Sequence, residues 1–144
     1  MFSKACEYGI RAVIHIAVRS NNNIRTSLKD ISKEIHSPEA FTAKILQQLA
    51  KSDIIDSIKG PNGGFEIEKK KMAKIKLSHI VLAIDGDSIF KGCGLGLKDC
   101  SEVQPCPVHY KFKKIRNELK QMLENTSVYE LSLGLKDGST FLKL

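Results

Sequence analysis

Cys93, Cys100, Cys106 and His109 carry the chemistry most open to inspection in this chain. Three thiols are separated by six and then five residues, and an imidazole follows the last after two more. Glycine, proline and polar residues fill the gaps, so the segment is not a regular helix or strand throughout. Such a loop could hold a metal or an iron–sulfur cluster, form disulfides, or do nothing. Three thiolates and a histidine are a legitimate zinc set, but structural zinc sites usually contain tighter Cys-x2–4-Cys pairs, and none occurs here. A cysteine nucleophile with His109 as base is also conceivable. Nothing in the sequence supplies an oxyanion hole or a third orienting group, so an enzyme is not expected.

The 144 residues suffice for one domain with a real core and an appended helix. No apolar run reaches the roughly 20 residues of a bilayer span. Lys4, Glu7 and Arg11 interrupt any signal-peptide core. A cytoplasmic protein is expected, with no membrane partner, where thiols stay reduced and a cysteine cluster is more often metal-binding or reactive than disulfide-linked. The net charge is +7, concentrated early: residues 1–75 carry 13 Lys/Arg against 8 Asp/Glu. That imbalance suggests a polyanionic partner.

The elements around the loop point the same way. Residues 4–19 read as a helix with an apolar stripe of Ile10, Val13, Ile14, Ala17 and Val18. Cys6 and Glu7 lie in its first turn, Cys6 as a small buried residue and Glu7 as an acid suited to the helix dipole. A short helix follows from a Thr26 or Ser27 cap, burying Leu28, Ile31 and Ile35. Ser37 then caps another helix, with Pro38 and Glu39 in its first turn, running to about residue 52. Its outward face would show Glu39, Ala40, Ala43, Lys44 and Gln47, the layout of a helix-turn-helix.

Residues 54–59 and 65–67 then flank Gly60-Pro61-Asn62-Gly63-Gly64, a β-hairpin placed as a wing. This glycine-rich loop precedes a strand, so a nucleotide-binding P-loop is not expected. Lys69-Lys70-Lys71 and Lys74 read as a solvated connector that could help hold a duplex. A buried helix over 77–84 ends at Asp85-Gly86, and His79 on it has no assigned role. After the cysteines, residues 110–124 place Phe112, Ile115, Leu119 and Met122 at a 3, 4, 3 spacing, a coiled-coil-like seam. A short helix over 128–133, capped by Thr126 or Ser127, is followed by a mixed tail. The expected fold is mostly α with a small β-hairpin. Its parts are a winged helix-turn-helix domain (1–86), a cysteine-rich loop (87–109), a dimerisation helix with a short C-terminal helix (110–133) and a tail (134–144).

Several strings in this order resemble the Rrf-two family of winged-helix transcription regulators. They are Tyr8-Gly9-Ile10-Arg11-Ala12, Leu28-x-x-Ile31, the wing Lys59-Gly60-Pro61-Asn62-Gly63-Gly64-Phe65, and Leu77-x-x-Ile80-x-x-Ala83-Ile84-x-Gly86. The three-cysteine loop and the long helix after it belong to the same resemblance. It implies a homodimer that binds an operator in double-stranded DNA and takes no small-molecule substrate. It also implies an iron–sulfur cluster, [2Fe-2S] in preference to [4Fe-4S], that senses redox state, nitric oxide or iron–sulfur status. Cys93, Cys100 and Cys106 match the cysteine ligands. His109 stands where IscR-like members have the fourth ligand, and Glu7 where NsrR-like members draw one from the partner subunit. Glu39, Ala40, Ala43, Lys44 and Gln47 would face the major groove, with Ser37 also counted among the DNA-binding residues and Lys59 and Asn62 reaching the neighbouring groove or backbone. The alternative is a winged-helix regulator using the same cysteines for zinc or thiol redox switching.

Overall fold

The computed structural model describes residues 1–143. Helix α1 (Lys4–Asn21) is the central post, capped by Ser3, whose hydroxyl accepts from the Cys6 amide. Its buried face is wider than the predicted stripe: Cys6, Gly9, Ala12 and Ile16 are buried, while Ile10 and Val18 lie at the margins. The stripe broadens because α1 is covered on several sides, by α3, α5 and α8. A Cβ at Gly9 would run into the Ile84 side chain, so glycine permits the close crossing of α1 over α5 (Leu77–Asp85).

Helices α2 (Leu28–Glu34) and α3 (Glu39–Lys51) form the helix-turn-helix. Ser27, not Thr26, caps α2 through the Asp30 amide. His36 adopts a left-handed φ of 52° in the turn, as Asn23 and Asp53 do after α1 and α3. The expected Ser37 cap is corrected: Pro38 holds the N-cap position with no side-chain hydrogen bond. The Ser37 hydroxyl is buried without a partner, and Thr42 Oγ1 donates to the Pro38 carbonyl at 2.9 Å instead.

Strands β1 (Asp56–Ile58) and β2 (Gly64–Glu66) pair antiparallel, Ser57 opposite Phe65. Thr26 adds an isolated bridge to Phe65, tying the hairpin to the start of the helix-turn-helix. The lysine run is not a connector throughout: α4 (Lys69–Met72) makes one turn and buries Met72. His79 gains a role, its Nδ1 accepting from the Lys76 amide at the start of α5.

A further turn, α6 (Ser88–Lys91), precedes the cysteine loop. Helix α7 (His109–Asn125) then runs along α5 and α6, burying only His109 and Leu123. Helix α8 (Val128–Lys136), capped by Ser127, extends beyond the predicted 128–133 and packs on α1, where Asn21 Nδ2 donates to Ser132 Oγ. The α7–α8 junction is held by Leu77 N donating to Thr126 O and Val128 N to Ile75 O, at 3.0 and 2.8 Å.

Candidate nucleic-acid interface and cysteine loop

Helix α3 is amphipathic, and burial of Ile45, Leu46 and Leu49 fixes which side it presents. Glu39, Ala40, Lys44 and Gln47 are exposed, while Ala43 is half-buried. Ala43 and Gln47 line a cleft of about 310 Å³ between α3 and the wing, with Ser57 and Phe65. Ser37 does not share this face, because its hydroxyl is sealed inside the turn.

Lys59 and Asn62 are exposed at the wing, which is anchored from below by a residue the sequence did not single out. Arg25 Nε pairs with Glu66 Oε2 at 3.0 Å, and Arg25 Nη1 donates to the Asn62 carbonyl at 3.0 Å. Arg25 lies in an irregular stretch between the turn after α1 and the α2 cap, where no periodic pattern marks it. Lys69 and Lys70 remain exposed beside the wing, and Lys71 pairs with Asp56 at 3.7 Å.

All four cysteines are free thiols. Cys6 is fully buried, and burial, with Asp85 and Glu7 nearby, pushes its thiol up to about 12. In the loop the opposite holds. Backbone amides of Leu95 and Leu97, with a smaller contribution from the Cys106 thiol, hold the Cys93 thiol below its ordinary value. The left-handed φ of Gly96, 70°, permits this turn. Cys100 Sγ lies 3.4 Å from His109 Nδ1. Arg116, from the second turn of α7, donates through Nη1 to Cys100 Sγ at 3.3 Å and to the Gly92 carbonyl at 2.8 Å. An ion pair between Lys113 and Glu102 also ties loop to helix, and Gly94 sits directly on the Phe112 ring.

His109 is 3 % exposed and its Nε2 has no hydrogen-bond partner. Glu7 pairs with Lys4 at 3.2 Å on α1. Among the described residues no three His, Cys, Asp or Glu side chains converge on one metal-sized position. The donor set nevertheless suits an iron–sulfur group: three soft thiols in one loop and a buried imidazole with an unused nitrogen.

The profile of the Rrf2 family, described as an iron-dependent transcriptional regulator, matches residues 2–132. The chain belongs to the Rrf2 family. It is 27 % identical over 133 residues to a putative HTH-type transcriptional regulator of Aquifex aeolicus, covering 91 % of this chain and 90 % of that one. Its fold is similar to that of CymR, the global cysteine regulator of B. subtilis. There the TM-score is 0.75 at 20 % identity, over 92 % of this chain and 96 % of the other. IscR of T. potens gives a TM-score of 0.75 at 16 % identity, over 99 % and 93 %. Rrf2 proteins are transcriptional regulators and not enzymes, which removes the nucleophile reading of the cysteines. The winged helix-turn-helix expected from the sequence is the Rrf2 fold.

Proposed function

We propose that this Rrf2 regulator binds operator DNA as a cytoplasmic homodimer under the control of an iron–sulfur cluster held by Cys93, Cys100 and Cys106. The observation that carries this reading is the junction of loop and helix. Cys100, His109 and Arg116 meet where the cysteine loop enters α7, so whatever the thiols bind is read by the helix. The exposed seam of that helix supports dimerisation, since Phe112, Ile115 and Met122 are 39 %, 61 % and 47 % exposed in the monomer. Glu39, Ala40, Ala43, Lys44 and Gln47 enter the major groove, Gln47 being suited to adenine, and Lys59 and Asn62 contact the flanking backbone.

A bound cluster would supply a centre reactive toward oxidants and nitric oxide, more labile with a nitrogen or oxygen fourth ligand than with four thiolates. His109 is favoured as that ligand over Glu7 of the partner subunit, because it already lies against Cys100 and has an unused nitrogen. [2Fe-2S] is favoured over [4Fe-4S]. The test is the ultraviolet–visible and paramagnetic-resonance spectrum of protein purified without oxygen, alongside Cys93→Ala, His109→Ala and Glu7→Ala. A visible chromophore lost in Cys93→Ala and altered in His109→Ala supports the reading.

One observation favours a second reading. Cys93, with its thiol held below the ordinary value, shares one short loop with the free, half-buried thiols of Cys100 and Cys106, an arrangement suited to reversible thiol oxidation without a cluster. Colourless protein whose DNA affinity falls on oxidation and returns with reductant would select this alternative. Colourless protein with stoichiometric zinc would select the zinc form of it.

A further inference from the structure

A second cavity, lined by none of the four cysteines, has a composition that DNA binding leaves unexplained. It has a volume of about 470 Å³ and opens between α1, the end of α2 and the C-terminal segment. Volumes of a few hundred Å³ are typical of small-molecule sites. Arg11, His15 and Arg19 line it from α1, and Glu34 faces them from α2. Ile35, Leu135, Phe141 and Leu142 make the apolar walls.

The three basic side chains stand at i, i+4 and i+8 on one helix face, a spacing that brings neighbours to about 5–6 Å. Burial pulls the His15 imidazole below its ordinary value, with Glu34 acting against that. Two guanidiniums remain. Among the described residues neither has a carboxylate within ion-pairing distance. Arg11 lies over the Tyr8 ring, 5.6 Å from its centroid, and Arg19 Nε is buried without any acceptor. An apolar chamber with unpaired guanidiniums at one wall suits a ligand with an apolar body and a carboxylate, which guanidinium binds in bidentate geometry.

We propose that this cavity is an effector site for a small organic carboxylate with an apolar body. Because Glu34 and Ile35 close α2, the ligand would lie directly behind the helix-turn-helix. The site is independent of the thiol chemistry proposed above and is tested without DNA or cluster.

The experiment is isothermal titration calorimetry on the full chain with hexanoate and leucine as probes and acetate as the probe lacking a body. We expect one-to-one binding of hexanoate or leucine, weakened about tenfold or more in Arg19→Gln and in Arg11→Gln. Lys29→Gln, exposed on α2 outside the cavity, should leave it within about twofold. Thermal melts of each variant separate lost binding from lost folding, and Arg11→Gln keeps the test decisive if Arg19→Gln does not fold. Leucine binding that requires Glu34 identifies a zwitterionic amino acid, and hexanoate binding indifferent to Glu34→Gln identifies a simple carboxylate. No heat from either probe at about 10 mM, at either of two well-separated temperatures, overturns the proposal. So does acetate binding as tightly as hexanoate, or an equal loss in Lys29→Gln.

Discussion

Arg116 Nη1 donates to Cys100 Sγ at 3.3 Å while also donating to the Gly92 carbonyl at 2.8 Å. One guanidinium nitrogen therefore joins α7 to both the middle cysteine and the start of the loop. A charge-assisted bond to sulfur persists only while that sulfur stays where Arg116 meets it. The helix is thereby made dependent on what Cys100 is bonded to.

Arg116→Met removes both bonds and keeps most of the aliphatic stem. In reduced, metal-free protein, amide hydrogen exchange in the 92–100 segment that ends at Cys100 should then accelerate about threefold to tenfold, the effect of roughly 1 kcal/mol of lost tethering. Peptide mass spectrometry over time reads it. An unchanged rate in that segment would remove Arg116 from control of the loop.

Lys59 and Arg25 should behave differently on DNA although both are basic and near the wing. Lys59→Ala removes an exposed charge, so affinity falls and the slope of log K against log salt drops by about one. Arg25→Ala removes the clamp on Glu66 and Asn62, so affinity falls several-fold with the slope nearly unchanged. Fluorescence anisotropy across a salt series distinguishes the two, and identical slope changes would make Arg25 a phosphate contact.

Ile115→Asp puts a charge in the exposed seam of α7, where the wild-type side chain has no core to leave. The expected product is a folded monomer with nearly unchanged helicity and much weaker operator binding. Light scattering after size exclusion reads the mass. A variant that stays dimeric would move the interface elsewhere.

Cys6 provides a pH signature. Its folded-state value of about 12 lies above the ordinary thiol value of 9.0, so the folded state holds this proton after the unfolded state has released it. Stability from this group is complete below pH 9 and declines as pH rises from there toward 12, at no more than about 1.4 kcal/mol per pH unit. Urea melts of Cys6→Ala should show a shallower alkaline decline than wild type over the same range. Parallel declines would assign the alkaline limb to other groups.

Much of the winged domain was legible in the sequence because its signals are local. Ser27 before Leu28, proline ahead of Glu39 and the glycine-rich hairpin each act within a few residues. The Ser37 cap failed where two local signals competed: Pro38 took the capping position and left the Ser37 hydroxyl inside the turn. The α1 stripe was drawn too narrow because periodicity does not reveal how many neighbours a helix will have. The residues that organise the site beyond it were invisible for the same reason. Arg25 reaches Glu66 across 41 residues and Arg116 reaches Gly92 across 24, and no spacing rule spans such distances. The cysteines themselves stood out by type. The placing of Cys100 against His109 and Arg116 is a property of how the loop folds onto α7.

The backbone bonds joining Ile75 and Leu77 to Thr126 and Val128 fix the far end of α7 to the body of the protein. That helix is 17 residues long, about 25 Å from the cysteine loop to this anchorage. A member held at one end and pushed at the other swings more readily than it slides. In the proposed dimer, rearrangement of the cysteines would therefore reach the second subunit as a change of crossing angle, with the pivot beside Leu123.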